Sequence, residues 1–430
     1  MICNNITVKD GTLNFAGVDT TLLAKKYGTP LYVMDEDKIR EKCSIYVSAM
    51  KDAFGDNALP LYASKAASFK RMYEIVGEEK MGIDVVSSGE IFTALKAGFD
   101  LSNAYFHSNN KTDWDIEYAI DNNVGYFVVD NIEEVDAIDI IASSKNKTQK
   151  ILLRLTPGID THTYEAINTG KVDSKFGTAI ETGQAIKIVE HTLKKSNIEL
   201  CGFHCHIGSQ VFDSDTFFRG SEIMIEFIAE AKEKLGFVAK QLDLGGGYGV
   251  RYVDSDPTID ISDNIHQVAK CIFKKCEELN VEVPKILMEP GRSIVADAGM
   301  TLYTVGTVKT IPRYKNYVSI DGGMTDNPRY ALYGSQYTAY IANRMDETYD
   351  FYCSLVGRCC ESGDIIQENI YLPKPKRGDI AAVCTTGAYN FSMASNYNRL
   401  PIPAVVMVCG GNDYLAVKRQ TLEHMTSNDI

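Results

Sequence analysis

Residues 240–247, KQLDLGGG, and residues 285–292, KILMEPGR, each pair a short apolar run with an ending suited to holding an anion. In an eight-stranded β/α barrel, the loops after strands seven and eight most often hold a phosphate, through backbone N–H groups and a helix N-terminus. If the two runs are strands seven and eight, the chain is a barrel that binds a phosphorylated ligand.

Eight short apolar runs alternate with longer amphipathic stretches from about residue 59 onward. Parallel strands need crossover connections, so this alternation favours a parallel (β/α)8 barrel of the TIM type. An open doubly wound sheet is the competing architecture, but it does not need eight units with a phosphate signal at the last two. The runs are 59–64, 82–86, 104–108, 125–130, 151–155, 199–206, 240–244 and 285–289.

The pattern of predicted secondary structure changes after about residue 298. Short strand-like segments follow one another, bounded by Gly, Pro and Asp, with no long helical pattern between most of them, which indicates an antiparallel β domain. The first residues, ITVKDGTLNFAG, are typical of a hairpin that joins this late domain. The fold class is therefore α/β, with a predicted barrel over 30–297 and a β domain over 1–29 and 298–430.

Bulk properties exclude several classes of partner. The chain has 430 residues, and its 44 Lys plus Arg against 57 Asp plus Glu give a formal charge of −13. This charge argues against nucleic acid or an anionic membrane as a general partner. The start, MICNNITVKDG, lacks the regions of a signal peptide, and no apolar run is long enough to span a bilayer. We expect a cytoplasmic enzyme.

The eleven cysteines are scattered and several lie inside apolar runs, so we expect thiols rather than disulfides. The group closest to a metal cluster is Cys201, His204, Cys205 and His206. Strand alternation places the two histidines on one face and the two cysteines on the other, so the four cannot converge on one ion. No metal is predicted.

The ends of the eight runs carry unusual chemistry, and in a barrel these ends face the active site. A lysine, a histidine, a glycine-rich loop and a carboxylate are the parts that pyridoxal phosphate needs. The lysine forms a Schiff base, the acid holds the pyridine nitrogen protonated, and the loop takes the phosphate. The residues at these ends are Lys65, Asp84, Glu90, Arg154, His206, Ser209, Gly245, Gly246, Gly247, Glu289 and Arg292.

Each of these residues alone has an ordinary structural explanation. Lys65 could be a solvated residue at a helix start, since lysine prefers the surface. His206 could be a core histidine, the glycines a tight turn, and Glu289 with Arg292 a structural ion pair. Their joint placement at the ends of runs one, six, seven and eight favours the cofactor site.

Motifs along nearly the whole chain resemble those of the diaminopimelate decarboxylases. These enzymes belong to the alanine-racemase-like, fold type III group of pyridoxal phosphate enzymes. HIGSQ and EPGR are shared with ornithine and arginine decarboxylases of that fold, whereas DNPRYALYG and CESGD discriminate among substrates. The motifs are GTPLYVMDE at 28–36, YASKA at 62–66, TGKVDSKFG at 169–177, HIGSQ at 206–210, GGGYG at 245–249, EPGR at 289–292, DNPRYALYG at 326–334, CESGD at 360–364 and GAYNFSMASNYN at 387–398.

The resemblance implies a role for each matching residue. Lys65 would form the Schiff base, His206 would stack on the pyridine face, and Glu289 would pair with the pyridine nitrogen. Cys360 would protonate the carbon that CO2 leaves, and in this family it comes from the partner subunit, which implies a homodimer with shared active sites. Residues implied around the phosphate or the near side of the substrate are Ser209, Gly246, Gly247, Gly291, Arg292 and Tyr389, while Asp84, Glu90 and Arg154 would orient His206 and the ring.

The resemblance implies decarboxylation of meso-diaminopimelate to L-lysine and CO2, the last step of lysine biosynthesis, and the charges favour decarboxylation over racemisation. A carboxylate at the ring nitrogen makes the ring a strong electron sink, whereas relatives that racemise typically place an arginine there. A substrate with a distal carboxylate and ammonium needs a cation and an anion at the far end of its pocket. Arg329 and Glu361 would supply them, and Tyr333 would add a hydroxyl donor.

Three alternatives stay open at this point. The chain could decarboxylate carboxynorspermidine, ornithine or arginine, although Arg329 and CESGD count against these substrates. It could be an inactive relative, although Lys65 and Cys360 are retained, or a phosphate-binding barrel without pyridoxal phosphate. Ala67, Ser108 and Tyr330 depart from the usual family pattern, and Tyr330 puts the shape of the substrate pocket in question.

Overall fold

The computed structural model describes residues 1–159 and 174–430, so the first five residues of the TGKVDSKFG motif lie outside the described residues. Two compact units are present, one of Lys42–Gly249 with Thr258–Gly291 and one of Met1–Glu41, Val250–Pro257 and Arg292–Ile430. We call them the barrel unit and the β unit. The division at 30–297 that the sequence suggests stays a prediction. No helix of the described residues combines the length and apolar character that crossing a bilayer requires.

Strands and helices are numbered in chain order. The strands are β1 (Ile6–Lys9), β2 (Thr12–Phe15), β3 (Val18–Asp19), β4 (Leu31–Asp35), β5 (Ala58–Ala63), β6 (Gly82–Val85), β7 (Ala104–Phe106), β8 (Tyr126–Val129), β9 (Gln149–Thr156), β10 (Thr178–Ala179), β11 (Ile198–His204), β12 (Gln241–Asp243), β13 (Lys285–Met288), β14 (Gly299–Ile311), β15 (Lys315–Ile320), β16 (Ala339–Ile341), β17 (Phe351–Val356), β18 (Ile365–Leu372), β19 (Ile380–Cys384), β20 (Ala404–Cys409) and β21 (Asn412–Val417). The helices are α1 (Thr20–Tyr27), α2 (Glu36–Phe54), α3 (Lys70–Glu78), α4 (Ser88–Lys96), α5 (Asp113–Asp121), α6 (Ile132–Ser144), α7 (Gln184–Thr192), α8 (Ser214–Leu235), α9 (Ile261–Leu279), α10 (Arg292–Val295), α11 (Arg329–Tyr333) and α12 (Leu422–Thr426).

Within the described residues of the barrel unit, eight parallel strands close on themselves. The order is β5-β6-β7-β8-β9-β11-β12-β13, and β13 pairs with β5 to complete the ring. Helices begin after most of the strands with polar caps, as at Ser87, whose side chain accepts a hydrogen bond from the Glu90 N–H before α4. The predicted (β/α)8 barrel is confirmed, and the runs 240–244 and 285–289 contain its last two strands.

An apolar layer of side chains fills the interior of this barrel. Tyr105 stacks on Tyr126 with ring centroids 4.5 Å apart, and its hydroxyl donates to Gln241 Oε1 at 3.0 Å. Packed side chains of this kind make the interior a core rather than a pore. The buried members of the layer are Leu61, Tyr105, Val128, Leu152, Cys201 and Leu287.

The β unit is built on a mostly antiparallel sheet, as predicted. Its strands run in the order β18-β17-β15-β14-β4-β20-β21, with β19 paired to β14 and β16 paired to β19. The β1–β2 hairpin belongs to this unit, since the Leu13 N–H donates to the Ala342 carbonyl at 2.8 Å and Leu13 joins the same apolar core. An early segment, β4, lies in the middle of the sheet, between the late strands β14 and β20.

A buried ion pair connects the segment after β7 to α6. The Lys111 side chain is fully buried, with Nζ 2.6 Å from Glu134 Oε1 and donating to the Val128 carbonyl at 2.7 Å. Glu134 Oε2 in turn accepts from the Asp130 N–H at 3.0 Å. Removing one partner of a buried pair leaves an uncompensated charge in a low-dielectric interior.

We therefore expect Lys111→Ala to lower the free energy of unfolding by about 3–5 kcal/mol. Denaturant unfolding followed by circular dichroism measures the loss. Lys145→Ala is the control, because its partners Glu117 and Asp121 are more than half exposed and solvent screens such pairs. Equal losses in the two variants would contradict the expectation.

Candidate active site

A layer of polar side chains lies next to the apolar layer, on the side of the carboxyl ends of the barrel strands. Side chains of a strand alternate between its two faces, so a residue two positions beyond an inward-facing one points inward as well. Each polar residue of this layer follows an apolar core residue by two positions, which brings the polar side chains together at the carboxyl ends of the strands. The pairs are Tyr105 with His107, Val128 with Asp130, Leu152 with Arg154, and Leu287 with Glu289.

Glu289 is the centre of a buried group of four titratable side chains. His107 Nε2 lies 2.6 Å from Glu289 Oε1, an ion-pair contact that is not a linear hydrogen bond, and His204 Nε2 lies 3.3 Å from Oε2. The fourth member is Asp243, and one polar atom from each residue lies within 4.8 Å of the others. We call His107, His204, Asp243 and Glu289 the Glu289 cluster.

The surroundings shift the pKa values of Glu289, Asp243 and His204 in different directions. Burial alone would raise the pKa of Glu289, but the imidazoles of His107 and His204 outweigh it and hold the pKa well below its usual range. Burial and the nearby charge of Glu289 raise the pKa of Asp243 well above its usual range. Burial lowers the pKa of His204 to about 4. These surroundings favour the ionised form of Glu289 and the neutral forms of Asp243 and His204.

Lys65 lies in a short 3-10 turn, Ser64–Ala66, that follows β5 directly. Its amine forms an ion pair with the fully buried Asp84, so Asp84 holds Lys65, and the expected contact of Asp84 with His206 stays a prediction. The Ala63 N–H donates to the Pro290 carbonyl at 2.9 Å, which joins the lysine turn to the EPGR motif. An amine is thus presented at the carboxyl end of the barrel.

Two further polar residues sit near this turn. Glu90 accepts a hydrogen bond from the Val86 N–H at 2.7 Å, and burial raises the pKa of Glu90 to about 7. Burial lowers the pKa of Arg154, whose guanidinium stacks on the Phe176 ring at 4.5 Å. Both residues lie on the barrel unit, while their predicted role in orienting His206 stays a prediction.

Glycines let the loops after β11, β12 and β13 approach one another closely. A Cβ on Gly246 would lie 2.1 Å from the Glu289 carbonyl oxygen, and one on Gly247, whose φ is +121°, would lie 2.4 Å from that of Gly208. The Gly246 N–H donates to His206 Nδ1 at 3.3 Å. No larger side chain fits at Gly246 or Gly247, so the glycine run builds a tight cradle.

Strand six is shorter than predicted. β11 ends at His204, whereas the sequence prediction extended it to His206. The Cys205 N–H still bonds the Asp243 carbonyl at 2.9 Å, but the chain then turns toward the glycine cradle, with Gly208 at a φ of +146°. His206 keeps part of its surface accessible, and its surroundings, first by burial, lower its pKa well below the usual range.

Several buried polar atoms of the barrel end lack a hydrogen-bond partner among the described residues. Such atoms are costly in a folded protein, and groups of them indicate a polar ligand. An amine, an ionised carboxylate, a glycine cradle and these atoms together fit pyridoxal phosphate. The atoms are Ser64 Oγ, Asp84 Oδ1, His204 Nδ1, Asp243 Oδ2 and Glu289 Oε1.

The β unit holds a second cluster, built around the ring of Tyr389. The guanidinium carbons of Arg292 and Arg329 lie 4.9 and 5.6 Å from the centroid of that ring. Arg292 also donates to the Tyr252 hydroxyl at 2.7 Å, and Arg329 lies 5.4 Å from the Tyr333 ring. Two cations on one aromatic ring form a strongly positive patch.

Arg329 is buried, with 6% of its surface exposed, and has no carboxylate within ion-pair distance among the described residues. Its Nη2 makes a long hydrogen bond of 3.3 Å to Ser335 Oγ, and its Nε has no partner in the described part of the chain. A buried guanidinium without an anion is costly, so this position calls for an anionic ligand.

Cys360 and Glu361 lie on an exposed loop of the same unit. The Cys360 N–H donates to Asn398 Oδ1 at 2.7 Å, and Asp364 accepts from the Cys359 N–H at 2.7 Å, so the loop is anchored at both ends. Glu361 Oε1 contacts the Gly363 N–H at 3.3 Å. Among the described contacts of one chain, Glu361 does not meet Arg329.

Comparisons with known proteins agree over nearly the whole chain. The family model "Pyridoxal-dependent decarboxylase, pyridoxal binding domain" matches residues 36–296. Diaminopimelate decarboxylases of Bacillus subtilis and Bacillus methanolicus are 43% and 46% identical, covering 98% and 95% of this chain and 95% of each relative. The chain belongs to the diaminopimelate decarboxylase family. A diaminopimelate decarboxylase of M. jannaschii in complex with L-lysine superposes with a TM-score of 0.91 at 32% identity, covering 100% of this chain and 98% of that one.

Membership in the diaminopimelate decarboxylase family makes this chain a pyridoxal phosphate-dependent enzyme, which confirms the expected cofactor. Two polar residues that the structure brings to Glu289, His107 and Asp243, are not among the site residues predicted from the sequence. His107 directly follows β7 and Asp243 ends β12, so a complete survey of strand ends could have found them.

Proposed function

We propose that the chain removes CO2 from meso-diaminopimelate to give L-lysine, with the residues of the two clusters in separate roles. The buried guanidinium of Arg329 carries the substrate assignment, because among the described residues it has no anion of its own. The names of the relatives and the L-lysine bound by the M. jannaschii protein support the same reaction.

Pyridoxal phosphate, when bound, supplies an electron sink that takes up the electron pair left by the departing CO2. Lys65 attaches the cofactor through its amine, and Asp84 orients that amine by the ion pair between them. Glu289, kept ionised by its imidazole neighbours, holds a proton on the pyridine nitrogen, which strengthens the sink. His206 offers a neutral flat ring for stacking against the pyridine face.

The phosphate and the near side of the substrate are assigned to the glycine cradle and to the cations near Tyr389. Backbone N–H groups in glycine turns bind anions without a side chain in the way. Arg292 adds a buried positive charge. The residues proposed for this role are Ser209, Gly246, Gly247, Gly291, Arg292 and Tyr389.

The far end of the substrate is assigned to Arg329, Tyr333 and Glu361. A planar guanidinium binds a carboxylate through two parallel hydrogen bonds, which suits the distal carboxylate of diaminopimelate. Glu361 would take the distal ammonium. Because Glu361 is exposed on its own chain, we assign it to the active site of a second subunit.

Cys360 is proposed as the acid that protonates the reacting carbon. It sits beside Glu361 on the anchored, exposed loop, so one loop would deliver both residues to the partner's barrel. The functional unit is then a homodimer with two shared active sites. A twofold interface of this kind contributes the same loop in both directions.

Turnover by the Arg329→Ala variant tests the substrate assignment. We expect kcat/KM for meso-diaminopimelate to fall roughly 30-fold to several thousand-fold, because removing one partner of a desolvated charge pair costs about 2–5 kcal/mol. Lysine formation and CO2 release measure the loss, with L-ornithine assayed in parallel. Arg358→Ala, an exposed arginine of the same unit, is the matched control. Full activity of Arg329→Ala, or wild-type preference for ornithine, would overturn the assignment.

A further inference from the structure

We propose that His107, His204 and Asp243 are positioning residues that keep Glu289 ionised and aimed, and thereby keep the pyridine nitrogen of the cofactor protonated. This inference rests on the proposed contact of Glu289 with that nitrogen. None of the three residues needs to touch the substrate. Their effect passes through the Glu289 carboxylate alone.

Three strands hold the carboxylate from different sides. His107 follows β7, His204 ends β11 and Asp243 ends β12, while Glu289 follows β13. A carboxylate offers about four acceptor positions on its two oxygens. His107 Nε2 approaches Oε1 and His204 Nε2 approaches Oε2, and one carboxylate oxygen of Asp243 lies within 4.8 Å of a Glu289 oxygen. Two positions remain, one open to a proton of Asp243 and one to a further donor.

The positions of the protons follow from this geometry. His204 Nε2 faces a carboxylate oxygen and so carries the hydrogen, which makes Nδ1 the bare nitrogen. Asp243 Oδ1 accepts from the Gly245 N–H at 2.8 Å, so the proton of Asp243 sits on Oδ2. Two carboxyl groups this close cannot both ionise. The imidazoles beside Glu289 decide that Asp243 keeps the proton.

Groups around the cluster include charges of both signs, which offset one another. They therefore do not replace the effect of the two imidazoles on Glu289. The titratable and charged groups that interact with Glu289 or Asp243 beyond the cluster lie on other strand ends, and both signs are present. They are Asp84, Arg154, Cys205 and His206, together with Tyr105 inside β7. Among the described residues, the two imidazoles are the groups in direct contact with the Glu289 oxygens that can stabilise a negative charge there.

The 15N chemical shift of the pyridine nitrogen tests the inference in holoenzyme loaded with 15N-labelled pyridoxal phosphate. Wild type is expected to show a protonated nitrogen. His107→Gln and His204→Gln are expected to move the shift toward the unprotonated value and to slow turnover about tenfold to a hundredfold, the range seen when groups that orient a ligand-binding side chain are removed. His266→Gln is the control, since its ring bonds its own helix at the Ser262 carbonyl.

Asp243→Asn is the second arm, and here the 15N shift is expected to stay at the protonated value. Asparagine can accept from the Gly245 N–H through Oδ1, and its Nδ2 would offer a hydrogen where the proposed acid form of Asp243 offers its proton. A protonated nitrogen would support the inference. Loss of the protonated signal would overturn the neutral state of Asp243, and this arm remains informative even if a histidine variant does not fold.

The remaining outcomes distinguish the proposed role of Glu289 from the proposed role of its neighbours. An unprotonated nitrogen in wild type would overturn the proposed role of Glu289 itself. A protonated nitrogen in wild type and in both histidine variants would leave that role standing and overturn this inference. The four side chains also have the composition of a metal site, so the shift is measured after dialysis against EDTA. A shift that changes together with release of a bound metal would contradict a purely protonic cluster.

Discussion

Lys65→Ala is expected to abolish turnover of meso-diaminopimelate, with a loss roughly of 10³-fold to 10⁶-fold, the range seen when a covalent catalytic group is removed. The reason lies in the position of the amine, which follows β5 at the barrel end and is held by the buried carboxylate of Asp84. An alanine cannot attach the cofactor. Release of CO2 under single-turnover and steady-state conditions measures the effect.

Two controls make the Lys65 result specific. Lys70→Ala removes an exposed lysine at the start of α3 and should leave turnover unchanged. Borohydride reduction of the wild-type holoenzyme should fix the cofactor to the peptide that contains Lys65, and Lys65→Ala should retain none after denaturation. Label on another lysine, or turnover by Lys65→Ala close to wild type, would contradict the assignment.

Mixing two inactive variants is expected to restore activity if the active sites are shared between subunits. Lys65→Ala removes the proposed cofactor-binding amine from the barrel unit. Cys360→Ala removes the proposed acid from the loop that would enter the active site of the partner subunit. In a random mixture half of the dimers are hybrids, and each hybrid has one site with both residues intact, so about a quarter of wild-type activity should return. Co-expression with two different affinity tags isolates the hybrids.

Lys65→Ala mixed with Glu289→Ala is the matched control for this experiment. Both residues belong to the barrel unit, so every site of such a hybrid carries one defect and activity should stay low. Purified Lys65–Cys360 hybrids without restored activity would mean that Cys360 acts within its own chain or does not act. This result would contradict the proposal that the active sites are shared between subunits, while the roles assigned to the barrel residues would stand.

The barrel could be predicted from sequence because its signals are local and repeated. Eight apolar runs separated by amphipathic stretches need no knowledge of neighbours, and the glycines and EPGR mark the last two strands within a few residues. The chemistry at Lys65 and Glu289 was visible for the same reason, since each directly follows an apolar run.

The rest of the site depends on contacts between distant segments. A polar residue at the end of one run, such as His107 or Asp243, is indistinguishable from an ordinary strand end until the closed sheet brings it beside Glu289. The unit to which β4 belongs is equally hard to predict from the sequence. Its five residues are all buried, a pattern that fits a central strand of either unit. Only pairing with β14 and β20 decides between them.

The position of β4 also constrains how the chain is made. β4 leaves the ribosome near residue 35, while its partner β20 begins at residue 404. Translation at roughly 5–20 residues per second places on the order of 20–70 s between them. Throughout that interval an apolar strand has at least one unpaired edge, which is a template for association with other nascent chains. Crowding of polysomes and supply of chaperones should therefore affect the yield of this protein more than the stability of its finished fold.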